Sequence, residues 1–114
     1  MKTGIFAALL SLYVSGAVAN FIDGNVLLRR LQAPDASLDN AQSIGYIMGI
    51  ADSQQSQQYY GINAKFCSEI PSSVISKQLA DITQRWLEKH PEHRHYAAAD
   101  LVALALKDAY PCKR

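Results

Sequence analysis

The stretch ISKQLADITQRWLEKHPEHRHYAAADLVALALKDAYPC, from Ile75 to Cys112, decides the fold. Ile75, Leu79, Ile82 and Trp86 recur at i, i+4, i+7 and i+11, which predicts an amphipathic helix. Gln78, Asp81, Gln84, Arg85 and Glu88 fall mostly off that stripe. Pro71 precedes the segment, and Ser72 or Ser73 is the expected cap. Pro91 biases His90 out of the helical region, so this helix should end near Lys89 or His90. A second helix should begin near Tyr96 or Ala97. Its apolar face is Ala98, Leu101, Val102, Ala105 and Ala109, widened by Leu104, and Pro111 stops it. Trp86 needs a partner for its indole N–H if it is fully buried.

Working outward toward the N-terminus, two more helical segments appear. FIDGNVLLRRLQAP (21–34) supports a helix starting after Asp23 or Gly24, with Val26, Leu27 and Leu31 as its stripe. Pro34 disfavours its continuation past Ala33. DASLDNAQ (35–42) offers Asp35 or Ser37 as a cap for the next segment. There Ile44, Ile47, Met48 and Ala51 recur at helical spacing. Gly45 and Gly49 sit four apart in it. Each glycine inside a helix costs about 1 kcal/mol against alanine, so the pair predicts close backbone packing there. QQSQQYYGINAK (54–65) has no sustained apolar period and reads as a helix end followed by a solvated connector. No strand-like alternation or hairpin signal competes, so the expected class is an all-α, four-helix domain.

The chain is 114 residues long, which suits one domain. Its first nineteen residues read as a secretory leader: Lys2, then the apolar IFAALLSLYV, then AVA at 17–19. The apolar run is too short to span a bilayer comfortably, and no cysteine stands near the cleavage site for lipid attachment. The expected organisation is a signal peptide over 1–19 and one helical domain over 20–114. The net charge is +1 at pH 7, and loss of Lys2 with the leader brings it to zero. That balance gives no electrostatic case for nucleic acid or an anionic membrane. In an exported chain the two cysteines, Cys67 and Cys112, are expected to form a disulfide, and with two the pairing is forced.

All three histidines fall in the connection between the last two helices, His90, His93 and His95 around Glu92 and Arg94. Four readings stand: a metal site, an acid/base pair, a recognition loop, or a polar corner. Three histidines supply enough zinc ligands, but H-x-x-H-x-H matches neither a zinc-protease helix nor a finger. No nucleophile elbow or phosphate loop accompanies them, so catalysis has no support. Arg94 and a histidine can serve as local caps, and a polar loop on two rigid helices is also a good place for recognition.

Four elements occur in order: GYIMGIAD (45–52), FC (66–67) followed by IP (70–71), LEKHPEHRHYAAADLVALAL (87–106), and YPC (110–112). The series resembles the periplasmic immunity proteins that protect Gram-negative bacteria from peptidoglycan-amidase effectors of type VI secretion. The similarity runs from about Gly24 to Cys112. It implies a small all-helical domain, commonly a homodimer, without catalytic residues or cofactor. It implies a cognate amidase as partner, bound in the periplasm and blocked at its active-site cleft. The third helix and the following loop carry that contact in the family, here Ser72 to His90 and Pro91 to Tyr96. His90, Glu92, His93, Arg94 and His95 are therefore the candidate partner-binding residues. Many relatives carry a further cysteine pair, whose matching positions here are Leu31 and Ser43. A periplasmic metal-binding or stress protein using the histidine loop is the alternative.

Overall fold

The computed structural model describes residues 21–62 and 66–113. The expected leader lies outside them. The described residues form four α-helices: α1 (Gly24–Leu31), α2 (Leu38–Tyr59), α3 (Ser76–Lys89) and α4 (Ala98–Ala109). A 3-10 turn at Pro91–His93 lies between α3 and α4. There is no strand among the described residues, only isolated bridges at Asp23–Ala97 and Ser68–Pro111. No described helix is long and apolar enough to cross a membrane.

α1 starts where the sequence places it. The Asp23 carboxylate caps it by accepting from the Val26 N–H at 2.9 Å. Gly24, Leu27, Leu28 and Leu31 make its buried face at i, i+3, i+4 and i+7. Its C-terminal end is closed from α2, where the Asn40 amide donates to the Leu31 carbonyl at 3.3 Å. That bond meets one of the carbonyls a helix end leaves over. Ser37 caps α2, its hydroxyl accepting from the Asn40 N–H at 3.2 Å.

α2 runs to Tyr59, so the helix takes up about half of the 54–65 stretch read as a helix end and connector. The reason is that two of its glutamines are structural. Gln54 is buried and donates to the Phe66 carbonyl. Gln58 grips the backbone of Ser68 twice, donating to its carbonyl and accepting from its N–H, both at 2.9 Å. A side-chain amide here imitates a neighbouring strand and satisfies a backbone that is fully buried. Gln58→Ala strands both groups and is expected to destabilise the fold by about 1–3 kcal/mol, whereas exposed Gln55→Ala should stay within about 0.5. Urea denaturation of both variants checks this.

Two further expectations fail. A Cβ added at Gly45 or Gly49 would meet nothing within 4 Å. No backbone of the described residues packs closely there, because α2 turns Ile47 and Ala51 inward and leaves the glycine face open. At α3, Ser72 and Ser73 do not cap. The Ile75 N–H is taken instead by the Gln78 side chain at 2.9 Å. The buried face of α3 is Leu79, Ala80, Thr83 and Leu87, and Ile75 is exposed. Thr83 is accommodated because its hydroxyl bonds to the Leu79 carbonyl at 2.9 Å. On α4, Leu106 is fully buried with Leu101, Val102 and Ala105, while Ala109 is exposed.

Leu27, Ile47, Leu87, Leu101, Val102 and Leu106 form the centre of the core, drawn from all four helices. Trp86 finds its partner, with the indole N–H on the Asp108 carboxylate at 2.8 Å. The Cys67–Cys112 disulfide is formed, with its Cα atoms 5.7 Å apart. Beside it the Glu69 N–H donates to the Tyr110 carbonyl at 2.8 Å. The segment before α3 is thus joined to the segment after α4, at the opposite end of the α3–α4 pair from the histidine loop.

Candidate partner-binding loop

Residues 90–97 connect α3 to α4 by a succession of tight turns. The N–H groups of His90, His93, Arg94 and Tyr96 bond to the carbonyls of Leu87, His90, Pro91 and His93. Pro91 opens the 3-10 turn, where its missing N–H and fixed φ do no harm.

The loop is fastened to α1 as well. The Gly24 N–H donates to the Tyr96 carbonyl and the Asn25 N–H to the Arg94 carbonyl, each at 3.1 Å. In return the Ala98 N–H donates to the Ile22 carbonyl at 3.1 Å. The starts of α1 and α4 therefore cap each other across the Asp23–Ala97 bridge. With the Asp23 carboxylate on Val26, the N–H groups of the first turn of α1 are all met. These long-range bonds hold the loop backbone without using its side chains.

The side chains divide into an anchored set and a presented set. His90 stacks on Trp86, ring centroids 4.0 Å apart and planes 18° apart. Its Nδ1 lies 2.7 Å from the Trp86 carbonyl oxygen, so His90 finishes α3 as well as lying on its last aromatic. His93 lies near-parallel to both rings, 6.1 Å from His90 and 6.3 Å from Trp86. Its outer side meets Tyr96 at 5.9 Å, and His95 packs on Tyr96 at 4.1 Å. Glu92, His95 and Tyr96 are exposed. The Glu92 and His93 side chains are 58% and 45% exposed and face each other at 3.6 Å.

Arg94 stands between the two sets. Its backbone is pinned to Asn25, and its side chain is half-buried. Among the described residues nothing accepts a hydrogen bond from its buried Nε. The guanidinium carries five N–H donors in a fixed planar fork, the geometry that suits a carboxylate or paired carbonyls.

The expected site residues are thus brought onto one short loop. His90 is used within the protein, whereas Glu92, His93, Arg94 and His95 are presented to different degrees. Sequence reasoning missed Trp86, Tyr96 and Gly24 as builders of the loop. The i, i+4 spacing of Trp86 and His90 was a readable signal for the first. Among the described residues no group of three or more His, Cys, Asp or Glu side chains is placed to hold a metal ion. The histidine rings lie side by side or on separate neighbours, rather than converging on a point.

A family model described as Rap1a immunity proteins matches residues 23–112. No curated protein matches the chain. The matched span begins at the α1 cap and ends at the second cysteine, and so takes in all four helices, the loop and the disulfide.

Proposed function

The chain belongs to the Rap1a immunity proteins, and from that premise we propose that it protects its cell by binding a cognate effector of type VI secretion. The effector is a peptidoglycan amidase, bound in the periplasm and occluded at its active site, so that the producing lineage is not intoxicated. The chain acts by occupying a surface and carries out no chemistry of its own. The observation that supports the site is the mount of the 90–96 loop. Its backbone bonds are made to α1 and to itself, which leaves Glu92, His93 and Arg94 for a partner. A loop already ordered binds without the entropy loss that a mobile one carries. Arg94 suits a carboxylate or paired carbonyls, and arginine is enriched at binding hot spots. Glu92 and His93 are the side chains to approach a catalytic cysteine–histidine pair in the cleft.

The test is direct inhibition. A purified amidase encoded beside this gene should lose its activity on muropeptides when one equivalent of the mature chain is added. Full activity at a large excess would contradict the proposal. The alternative of a metal-binding or stress protein has no converging set of ligands among the described residues to support it.

Export through the leader and pairing into a homodimer belong to the same proposal. Large apolar side chains left open on the surface, Leu38, Tyr59, Tyr60 and Ile75, are compatible with a further protein contact. Sedimentation at micromolar concentration should give twice the chain mass, and monomer mass alone would contradict the dimer.

A further inference from the structure

We propose that Gly24, in the first turn of α1, is a positioning residue for partner binding. Its missing side chain sets how closely the 94–96 backbone seats on the bundle, and so where Glu92, His93 and Arg94 are presented. This inference rests on the reading of the loop as the partner-binding site.

Gly24 has a helical backbone that any residue adopts, so glycine is not there for its conformation. It is there for space. A Cβ at this position would lie 2.9 Å from the Arg94 carbonyl oxygen and 3.0 Å from the Arg94 Cα. It would also lie 2.5 Å from a terminal methyl of Leu101. The methyl belongs to a side chain that can turn, although Leu101 is only 1% exposed. The two Arg94 atoms are backbone and give way only if the loop moves. The same backbone is held on α1 by the Gly24–Tyr96 and Asn25–Arg94 hydrogen bonds, both 3.1 Å. A methyl group at residue 24 therefore pushes on the loop at the point where α1 pulls it in. Movement there lengthens both bonds and tilts the short turn that carries Glu92 and His93. Gly45 and Gly49 offer the contrast, since a Cβ at either meets open space.

The experiment uses the mature chain and a purified peptidoglycan amidase encoded beside its gene as the probe. Affinity and melting temperature are measured for the wild type, Gly24→Ala, Gly24→Ala/Leu101→Val, and Gly49→Ala as control. The emission spectrum of Trp86, the chain's one tryptophan, is recorded for each variant without partner. Trp86 lies against His90 at the foot of the loop, so its emission reports the loop's seating without a partner.

Gly24→Ala is expected to weaken binding at least tenfold and to shift the emission of Trp86. Leu101→Val removes the crowded methyl, so the double variant should regain melting temperature but not affinity. Gly49→Ala should bind as the wild type. Recovery of affinity along with stability in the double variant would show core crowding as the cause and overturn the proposal. So would wild-type binding by folded Gly24→Ala. If Gly24→Ala does not fold, Asn25→Pro decides. It removes the N–H that holds the Arg94 carbonyl, at a first-turn position where proline is tolerated. Tenfold weaker binding supports the proposal and unchanged binding overturns it. If alanine at Glu92, His93 and Arg94 weakens binding while Gly24→Ala and Asn25→Pro do not, the loop reading survives and this inference alone fails. If those alanines have no effect, both fail.

Discussion

Cys112→Ser is expected to destabilise the fold by about 2–5 kcal/mol, the usual loss when a small exported domain gives up a native disulfide. The closed loop spans 45 residues and contains α3, the histidine loop and α4. In the chain-entropy model a loop of that length contributes roughly 4 kcal/mol by restricting the unfolded chain. A domain of this size has only about 5–15 kcal/mol of net stability, so a third or more can rest on one bond. At about 4–8 °C per kcal/mol, the melting temperature should fall by tens of degrees. Reductant should bring the wild type down to the same level and leave the variant unchanged. Partner affinity, measured on protein kept folded at low temperature, should barely change. The disulfide and the loop are separated by the length of α4, about 18 Å at 1.5 Å per residue. A loss under about 0.5 kcal/mol would place the disulfide outside the determinants of stability.

The parts of the fold legible in the sequence were those set by local chemistry. Asp23 and Ser37 cap where their side chains and the following apolar residues say they should. Pro91 ends α3 and Pro111 ends α4 by removing helical conformations from the residues before them. The extension of α2 was not legible, because its buried face there is a glutamine. Hydrophobic periodicity reads Gln54 as solvent-facing, whereas its amide is used to close a buried backbone 12 residues away. The glycines misled in both directions. Gly45 and Gly49 have the spacing of a close contact but lie open, while Gly24 looks like part of a helix start and is the tight one. Only the tertiary approach of residues 94–96 distinguishes them. The loop showed the same division. Its length and polarity were readable, but its attachment runs through backbone groups of residues 22–25 that carry no sequence signal.

Replacing Glu92, His93 and Arg94 together by alanine is expected to weaken effector binding by at least 2 kcal/mol, about 30-fold, with little change in stability. The stability side follows from what these side chains do in the free protein. Glu92 and His93 make one half-exposed pair at 3.6 Å, a class of contact worth little at a surface. The loop's bonds to α1 come from the Arg94 and Tyr96 carbonyls, which alanine at 94 keeps. The binding side follows from a half-buried arginine and a half-exposed Glu92–His93 pair carried on an ordered mount.

The deciding measurement is calorimetric titration of the wild type and this triple variant into the effector that the wild type inhibits, with melting curves on the same samples. For a recognition loop, the dissociation constant is at least 30-fold weaker at a nearly unchanged melting temperature. A variant that unfolds early, while its folded fraction binds as tightly as the wild type, would make the loop a structural corner and overturn its role in recognition.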